Sequence, residues 1–305
     1  MSSTTRPIST SVVNINAKVR DLAWMLGSPP LCELTGTSDV DVWQSPHIRT
    51  WLEQLDQNPQ PLLDFLEDHG KSAGHRLGVY FERLVWFFLQ QNPAVETVIQ
   101  GLRVEGEKRT LGEFDFLYRP FGTDTYTHLE VCIKFYLCMD GFSDANNWLG
   151  PNPTDRLSMK ISKTTQRQLL LSGLPEAKAL LTSLDIVIGR KKALFLGRLF
   201  YPWDDYCLDR FEYPASVAAG HNKGWWGSET RLASLIHDGE RFQLLPKSGW
   251  LAPLSTQAAK PSEAAEIDVV RGKTPFMVAR LRQQDNAWHE IDRGIVIPRH
   301  WPLLD

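Results

Sequence analysis

The chain has 305 residues, of which 42% are hydrophobic and 23% charged, and its formal net charge is −3. This composition is typical of a globular protein with room for one large domain or two smaller ones. No apolar run approaches the roughly 18 residues that span a bilayer, and the N-terminus has no signal-peptide core, so we expect a cytoplasmic protein without a membrane partner. The negative charge excludes a uniformly basic surface that coats DNA, but it permits a local basic groove.

The first segment, residues 1–72, is predicted to form a small helical layer. Residues 1–15 are rich in Ser and Thr and are expected to be loosely held. Helix start and stop signals then predict helices at Val19–Leu26, from Ser45-Pro46 onward, and at Leu62–Leu66. The four cysteines of the chain include no CxxC pair, which indicates reduced thiols and argues against zinc.

The second segment, residues 73–202, is predicted to be an α/β core. It opens with the strongest helix of the chain, Leu77–Leu89, which begins near His75, ends at Asn92-Pro93 and carries apolar residues at helical spacing. A strand at Val95–Val104 follows. Two further strands, joined into a hairpin by turn residues between them, are predicted at Gly112–Leu117 and His128–Lys134.

A second helix of this core is predicted to begin at Asp155, which can cap it, and to run to about Leu171. A short helix at Ala177–Leu184 and a strand at Lys192–Tyr201 follow. The resulting order is helix, strand, strand, strand, helix, strand.

The third segment, residues 203–305, is predicted to be a β-rich, Trp-rich C-terminal extension. Core packing is the preferred reading of its tryptophans, and stacking on single-stranded bases is the alternative. The segment His221–Trp226 is expected to form a loop, and Thr256–Ala265 a mobile one. Strands are predicted at Phe242–Leu245, Pro275–Leu281 and Gly294–Ile297.

Acidic residues lie within the apolar strands of the hairpin. Side chains alternate faces along a strand, so Glu113 and Asp115 share one face of the first strand, and Glu130, Cys132 and Lys134 share one face of the second. Buried carboxylates are costly unless a partner compensates them. If the two faces coincide, Asp115, Glu130 and Lys134 converge, and two carboxylates with waters suffice to hold Mg²⁺.

The chemistry expected of such a site is hydrolysis of a phosphodiester. A metal-bound water has a lowered pKa, and Lys134 would orient that water or balance the charge that develops on the phosphate. Glu82, from the preceding helix, is predicted to reach the metal as a third acid. Glu113 and His128 are predicted to lie just outside the metal ligands.

Less specific interpretations remain open for these residues. Asp115 and Glu130 would lie on the polar face of a half-solvated hairpin, and Glu82 would pair with a neighbouring arginine of its own helix. His128 would be a satisfied polar residue at the entrance of its strand.

Four cations after Asp155 are spaced four, three and four residues apart, which places them on one stripe of a helix. Such a stripe beside a carboxylate site suits a nucleic-acid backbone, and a solvated surface is the alternative. Gln166 and Gln168 lie nearby, and the spacing does not choose between them. The predicted nucleic-acid-binding residues are Arg156, Lys160, Lys163 and Arg167.

The order of elements, together with Glu82 on a helix, Gly112-Glu113-Phe114-Asp115 on one strand and Glu130 with Lys134 on the next, resembles the PD-(D/E)XK nuclease superfamily over roughly residues 74–201. The segment Gly112–Leu117 is similar to the form found in Holliday-junction-resolvase-like endonucleases. Further segments resemble a bacterial family placed in that superfamily: Leu77–Leu84, Leu129–Leu137, Gly150–Asn152 and Asp155–Leu157.

The resemblance implies a restriction-endonuclease-like α/β core and a nuclease that uses Mg²⁺ or Mn²⁺ on nucleic acid, DNA before RNA. Asp115 and Glu130 would hold the metal with help from Glu82, and Lys134 would act on the water. One position departs from the superfamily pattern. The lysine is expected two residues after Glu130, where this chain has Cys132, and Lys134 lies two residues further along the same strand face.

Two other functions compete with the nuclease. The displaced lysine favours a catalytically inactive scaffold of the same fold that binds nucleic acid. The Trp-rich C-terminal segment favours a protein-interaction module. The oligomeric state is not predicted.

Overall fold

A computed structural model describes residues 16–34, 42–44, 47–69, 76–230, 232, 239–262, 267 and 274–301. Over these residues the chain is of mixed α/β class, with a large central sheet and several helices. None of the described helices is long and apolar enough to cross a membrane. The chain divides into two compact units: the first unit comprises residues 1–31, 134–158 and 197–305, and the second unit comprises residues 32–133 and 159–196.

The described helices and strands are numbered in chain order. The helices are α1 Ala17–Gly27, α2 Ile48–Gln57, α3 Gln60–Asp68, α4 Leu77–Gln91, α5 Leu157–Lys163, α6 Pro175–Ser183 and α7 Trp203–Cys207. The strands are β1 Val95–Glu105, β2 Thr110–Pro120, β3 Tyr126–Cys138, β4 Trp148–Leu149, β5 Ile188–Pro202, β6 Lys223–Ser228, β7 Glu240–Leu245, β8 Phe276–Gln284 and β9 Ala287–Ile297.

Helix α4 is the main buried helix of the second unit. Six of its fifteen residues are buried and apolar, including Phe81, Leu84 and Phe88, and burying that surface stabilises the helix against the unit's core. Asn92 ends it, because its side-chain amide donates to the Val42 carbonyl at 2.7 Å and its side-chain oxygen accepts from the Ala94 N–H at 3.0 Å. The predicted end at Asn92-Pro93 is therefore confirmed.

Strands β1, β2 and the start of β3 form an antiparallel meander in the second unit. β1 pairs with β2 along nearly its whole length, whereas the β2–β3 ladder comprises Phe116 with Leu129, Leu117 with His128, and Tyr118 with Thr127. Beneath the meander lies an apolar core to which α6 contributes Ala177 and Leu181. The predicted hairpin is confirmed, and its short ladder leaves β2 and β3 open where the acidic residues lie.

The first unit has its own core, built on strands β6 to β9. β6 pairs with β9 in parallel, β9 pairs with β8 antiparallel, and β8 pairs with β7 antiparallel. Trp203 and Trp225 meet edge to face at 5.0 Å inside this core, which confirms packing as the role of these two tryptophans. The predicted loop at His221–Trp226 is wrong over most of its length, because strand β6 begins at Lys223. Trp225 lies in this strand, and its ring is fully buried.

Most other predicted elements are confirmed to within a few residues, including the strands that became β7 and β8. Strand β9 ends at the predicted Ile297 but begins at Ala287, well before the predicted start at Gly294. The long helix from Asp155 to about Leu171 is wrong in its geometry. α-Helical structure ends at Lys163, a π-helical turn spans Thr164–Gln168, and Asp155 does not cap α5 but accepts hydrogen bonds from Lys134 and Tyr136. The predictions for residues 1–15, Ser45-Pro46, His75 and residues 263–265 lie outside the described residues, and the three predicted segment boundaries stay predictions.

Candidate functional site

Asp115 and Glu130 lie opposite each other on β2 and β3. The last ladder pair is Phe116 with Leu129, and the same antiparallel register, continued by one residue, brings Asp115 to Glu130. The ladder stops there because Asp115 Oδ2 accepts the Val131 backbone N–H at 2.9 Å. The two carboxyl groups are within hydrogen-bonding reach of each other, which requires one of them to carry a proton when no cation lies between them.

Glu130 is almost fully buried and is held by two side chains. Its side chain is 2% exposed, and Oε1 lies 2.7 Å from His128 Nε2. Its other oxygen, Oε2, accepts a short hydrogen bond from the Gln168 amide. Two fixed donors therefore set the orientation of the Glu130 carboxylate before any ligand arrives.

His128 is neutral in the folded protein. Burial, and then the nearby Lys191, lower the pKa of His128 to about 4. Because a neutral imidazole carries one proton, Nε2–H donates to Glu130, while Nδ1 has no hydrogen-bond partner. The ring also packs edge to face on Phe114 at 4.7 Å. His128 thus contacts Glu130 through Nε2 and Phe114 through its ring, and its predicted place just outside the metal ligands stays a prediction.

The π-helical turn after α5 delivers Gln168 to Glu130. Its i→i+5 geometry is recorded by the hydrogen bond from the Leu169 N–H to the Thr164 carbonyl at 2.9 Å. The Gln168 side-chain oxygen accepts from Lys160 Nζ at 3.1 Å and from the Thr164 hydroxyl at 3.2 Å, which leaves the amide group to donate to Glu130. π-Turns inside helices occur frequently at functional sites.

Gln166, the alternative glutamine, is exposed and accepts a hydrogen bond from Ser162 at 2.8 Å. The structure therefore selects Gln168 as the residue that touches an acidic side chain.

Glu82, Asp115 and Glu130 form what we call the carboxylate cluster. Burial, and then the charges of Asp115 and Glu113, raise the pKa of Glu82 to about 7. Burial, and then the charge of Glu130, raise the pKa of Asp115 to about 7, and burial raises the pKa of Glu130 to about 7. Strong shifts caused by burial and like charges are typical of functional sites.

Lys160, on α5, is the cation shared by the carboxylate cluster. Its ammonium lowers the pKa of each of the three acids and so opposes the effect of burial. Lys160 was predicted to bind a nucleic-acid backbone, and that role stays a prediction; in the structure its ammonium contacts Gln168 and its charge acts on the acids.

Three other predicted residues have different surroundings. Glu113 is exposed and forms an ion pair with Arg103 at 2.9 Å, although its charge still reaches Glu82. Lys134 belongs to the first unit, where its ammonium pairs with Asp155 at 2.5 Å. Arg156 also belongs to the first unit and donates to the Asn146 carbonyl at 2.7 Å. The predicted roles of Glu113, Lys134 and Arg156 stay predictions.

Lys163 and Arg167 project from the helical segment that carries Lys160 and Gln168. Both side chains are exposed, and within the described part of the chain no carboxylate forms an ion pair with either. From residue 156 to residue 175 the sequence contains no Asp or Glu. The outer face of this segment is therefore positively charged and open to an anionic partner.

The carboxylate cluster offers oxygen donors, the type that Mg²⁺ and Mn²⁺ prefer. Among the described residues no three His, Cys, Asp or Glu side chains are grouped so as to hold a metal ion by themselves. Asp115 and Glu130 fit a cation that keeps several waters, as Mg²⁺ does. The charge of Asp115 acts on Glu82, and the role of Glu82 as a third ligand stays a prediction.

Fold and site together define a mixed α/β protein in which the buried Glu130 and the half-buried Asp115 are held by hydrogen bonds and are influenced by the charge of Lys160. The chain belongs to the family described as Domain of unknown function (DUF1853), whose model matches residues 20–297. Neither the curated proteins nor the solved structures contain a significant match to the chain.

Proposed function

We propose that this protein is a metal-dependent nuclease of the PD-(D/E)XK type, which hydrolyses phosphodiester bonds in DNA before RNA. The observation that carries the proposal is the meeting of Asp115 and Glu130 across β2 and β3, each fixed by its own hydrogen bonds. Glu130 is buried and Asp115 half-buried, and two such acids in mutual contact destabilise a protein unless a cation or a proton compensates them. A divalent cation is the compensating group that would also give the arrangement a function.

Asp115 and Glu130 would hold Mg²⁺ or Mn²⁺, with Glu82 assisting. A cation held there supplies a water of lowered pKa and neutralises charge on a phosphate. The chain's own contribution is preorganisation. The Val131 N–H fixes Asp115, and His128 with Gln168 fixes Glu130, so the acids need little rearrangement when a phosphate binds.

The nucleic-acid contact is proposed to lie on the segment that carries Lys160, Lys163 and Arg167. Lys163 and Arg167 are exposed and form no ion pair with a carboxylate among the described residues, and such cations attract phosphates and release counterions when they bind them. Arg156 is proposed to contribute a further backbone contact. A local basic segment reconciles nucleic-acid binding with a formal net charge of −3 for the whole chain.

The test is cleavage of supercoiled plasmid, duplex, single-stranded DNA and RNA by the full chain in Mg²⁺ or Mn²⁺, with EDTA as the blank. Wild type is expected to cleave DNA only with metal, and Asp115→Asn and Glu130→Gln are expected to lose at least about 100-fold in rate. Glu113→Gln is the matched control, since it removes a carboxylate charge from the same strand at an exposed position. Equal cleavage by all four proteins would overturn the proposal.

A catalytically inactive, nucleic-acid-binding scaffold is the second candidate. Two observations favour it: Cys132 occupies the position of the superfamily lysine, and the nearest lysine on the strand, Lys134, is paired with Asp155. A scaffold predicts salt-dependent DNA binding without cleavage and without Mn²⁺ binding that depends on Asp115. Isothermal titration with Mn²⁺ distinguishes the two candidates.

A further inference from the structure

We propose that Lys160, rather than Lys134, supplies the ammonium group that acts on the scissile phosphate. This inference rests on the proposed nuclease function and assigns one of its reacting groups. It changes the role of Lys160 from backbone binding to the chemical step, and it gives Lys134 a structural role.

The position of Lys160 is fixed by hydrogen bonds that end at the carboxylate cluster. Lys160 Nζ donates to the Gln168 side-chain oxygen at 3.1 Å, and the Gln168 amide donates to Glu130. Gln168 is the last residue of the π-helical turn, which the i→i+5 hydrogen bond from the Leu169 N–H to the Thr164 carbonyl closes.

The ammonium of Lys160 has capacity left for a ligand. Among the described residues no carboxylate forms a direct ion pair with it, although its charge reaches Glu82, Asp115 and Glu130. An ammonium has three N–H donors, and the structure gives one of them to Gln168. The remaining donors are available to a phosphate oxygen placed beside the acids.

Lys134 is committed elsewhere. Its ammonium contacts Asp155, which also accepts from the Tyr136 hydroxyl at 3.2 Å. The backbone of Asp155 closes the loop before α5, with the Gly150 N–H donating to its carbonyl at 2.7 Å. Lys134 therefore anchors a loop of the first unit, and freeing its ammonium for catalysis would leave Asp155 without its cation.

In the proposed step, the oxygen of a water forms a bond to phosphorus and the bond from phosphorus to the leaving oxygen breaks. One water proton ends on the leaving oxygen, so a diester and a water become a monoester and an alcohol. Lys160 stays protonated throughout and donates hydrogen bonds to a non-bridging oxygen, whose negative charge increases in the transition state.

The experiment compares Lys160→Met, Lys134→Met and Lys163→Met, which remove the charge from each side chain and keep its length. We expect Lys160→Met to lose about 100-fold in single-turnover cleavage with DNA affinity in EDTA changed less than about fivefold. Lys163→Met is expected to weaken DNA binding in EDTA, the property that Lys160→Met is expected to keep. Lys134→Met is expected to lower Tm and to keep the cleavage rate of the folded protein.

Lys160→Arg adds a check on charge alone, and it is expected to recover only part of the rate because a planar guanidinium replaces a compact ammonium. The inference is overturned if Lys160→Met cleaves like wild type, or if Lys134→Met loses the rate with Tm unchanged. A wild type that cleaves no substrate rejects the proposed function itself, and with it the catalytic role of Lys160.

Mn²⁺ titration reports separately on the placement of Lys160. Removing a cation beside the cluster is expected to tighten Mn²⁺ binding several-fold in Lys160→Met and to leave it unchanged in Lys134→Met. Equal Mn²⁺ affinity in wild type and Lys160→Met would show that the ammonium is not at the cluster and would also overturn the inference.

Discussion

Gln168 donates a hydrogen bond to Glu130, a residue 38 positions earlier in the chain. The contact exists because the helix that follows Asp155 changes from α to π geometry at Thr164. It connects the segment that bears the proposed DNA-binding cations to the strand that bears the proposed metal ligand.

Replacement of Gln168 by Ala is expected to lower the cleavage rate or the Mn²⁺ affinity by about tenfold, because residues that orient metal ligands contribute on this scale. Gln166→Ala is the matched control and is expected to behave like wild type, since Gln166 is exposed and accepts its hydrogen bond from Ser162. Single-turnover kinetics measures the cleavage rate of each variant, and titration measures its affinity for Mn²⁺. Equal losses in the two variants would refute the positioning role of Gln168.

Asp115→Asn is expected to stabilise the metal-free protein at pH 8, by on the order of 2 kcal/mol. The pKa of Asp115 is raised to about 7, so the native state binds more protons than the unfolded state between about pH 4 and pH 7. The contribution of Asp115 to stability is therefore present at low pH and is lost as the pH rises through 7. Chemical denaturation of wild type and variant across this range measures the difference.

The pH dependence of stability must be compared between wild type and variant, because the neutral buried histidines change stability with pH in the opposite direction to Asp115. The pKa values of His128 and His221 are lowered to about 4, and their contribution is lost as the pH falls through the range from about 6.5 to 4. Glu113→Gln is the control and is expected to change stability by less than about 0.5 kcal/mol, as an exposed ion pair does. A wild-type minus Asp115→Asn difference that does not vary with pH would contradict the raised pKa.

Addition of Mn²⁺ is expected to raise the Tm of wild type at pH 8, because a ligand that binds only the native state stabilises it. Protons compete with the cation for the carboxylate cluster, so the increase in Tm is expected to shrink at pH 5.5. Thermal unfolding with and without Mn²⁺ measures both effects. Asp115→Asn and Glu130→Gln should show no increase, and an increase that survives both substitutions would place the cation elsewhere.

Neutralising Lys163 and Arg167 together as glutamines is expected to weaken DNA binding and to lower the slope of log K against log salt by about 2. Both side chains are exposed and lack ion-pair partners among the described residues. The exposed Lys178 on α6 is the control for general charge loss. Fluorescence anisotropy with a duplex over a salt series gives the slope, and an unchanged slope in the double variant would exclude this surface.

Gly197→Ala is expected to destabilise the first unit by more than about 3 kcal/mol or to prevent folding. Gly197 has a φ of +150°, and a Cβ there would lie 1.7 Å from the Lys134 carbonyl oxygen. Gly173→Ala is the control, because no atom lies within 4 Å of the added Cβ. Urea denaturation compares them. A stable Gly197→Ala variant would show that the backbone near Lys134 can move.

The local pattern of the sequence predicted the elements that carry the acids. Apolar spacing identified α4, and turn residues between two apolar runs identified the hairpin of β2 and β3. Period-two alternation placed Asp115 and Glu130 where they can face each other. These features follow from hydrophobic burial and backbone geometry within a few neighbouring residues, so a single sequence contains them.

The surroundings of the acids required the tertiary structure. Nothing in the spacing separates Gln168 from Gln166, because the π-turn shifts every later side chain around the helix axis. The choice between Lys134 and Lys160 depends on where Asp155 lies, and Asp155 is 21 residues from Lys134. The segment that contains the tryptophans of β6 was predicted to be a loop, because burial by distant strands leaves no local signal.

The sequence by itself determined which strands bear the acidic residues and which face each acid occupies, because side-chain alternation is a property of the extended backbone. Only the tertiary structure decided which partners hold those acids and which cation accompanies them. Those partners come from segments far along the chain, and packing, not local pattern, brings them within hydrogen-bonding distance.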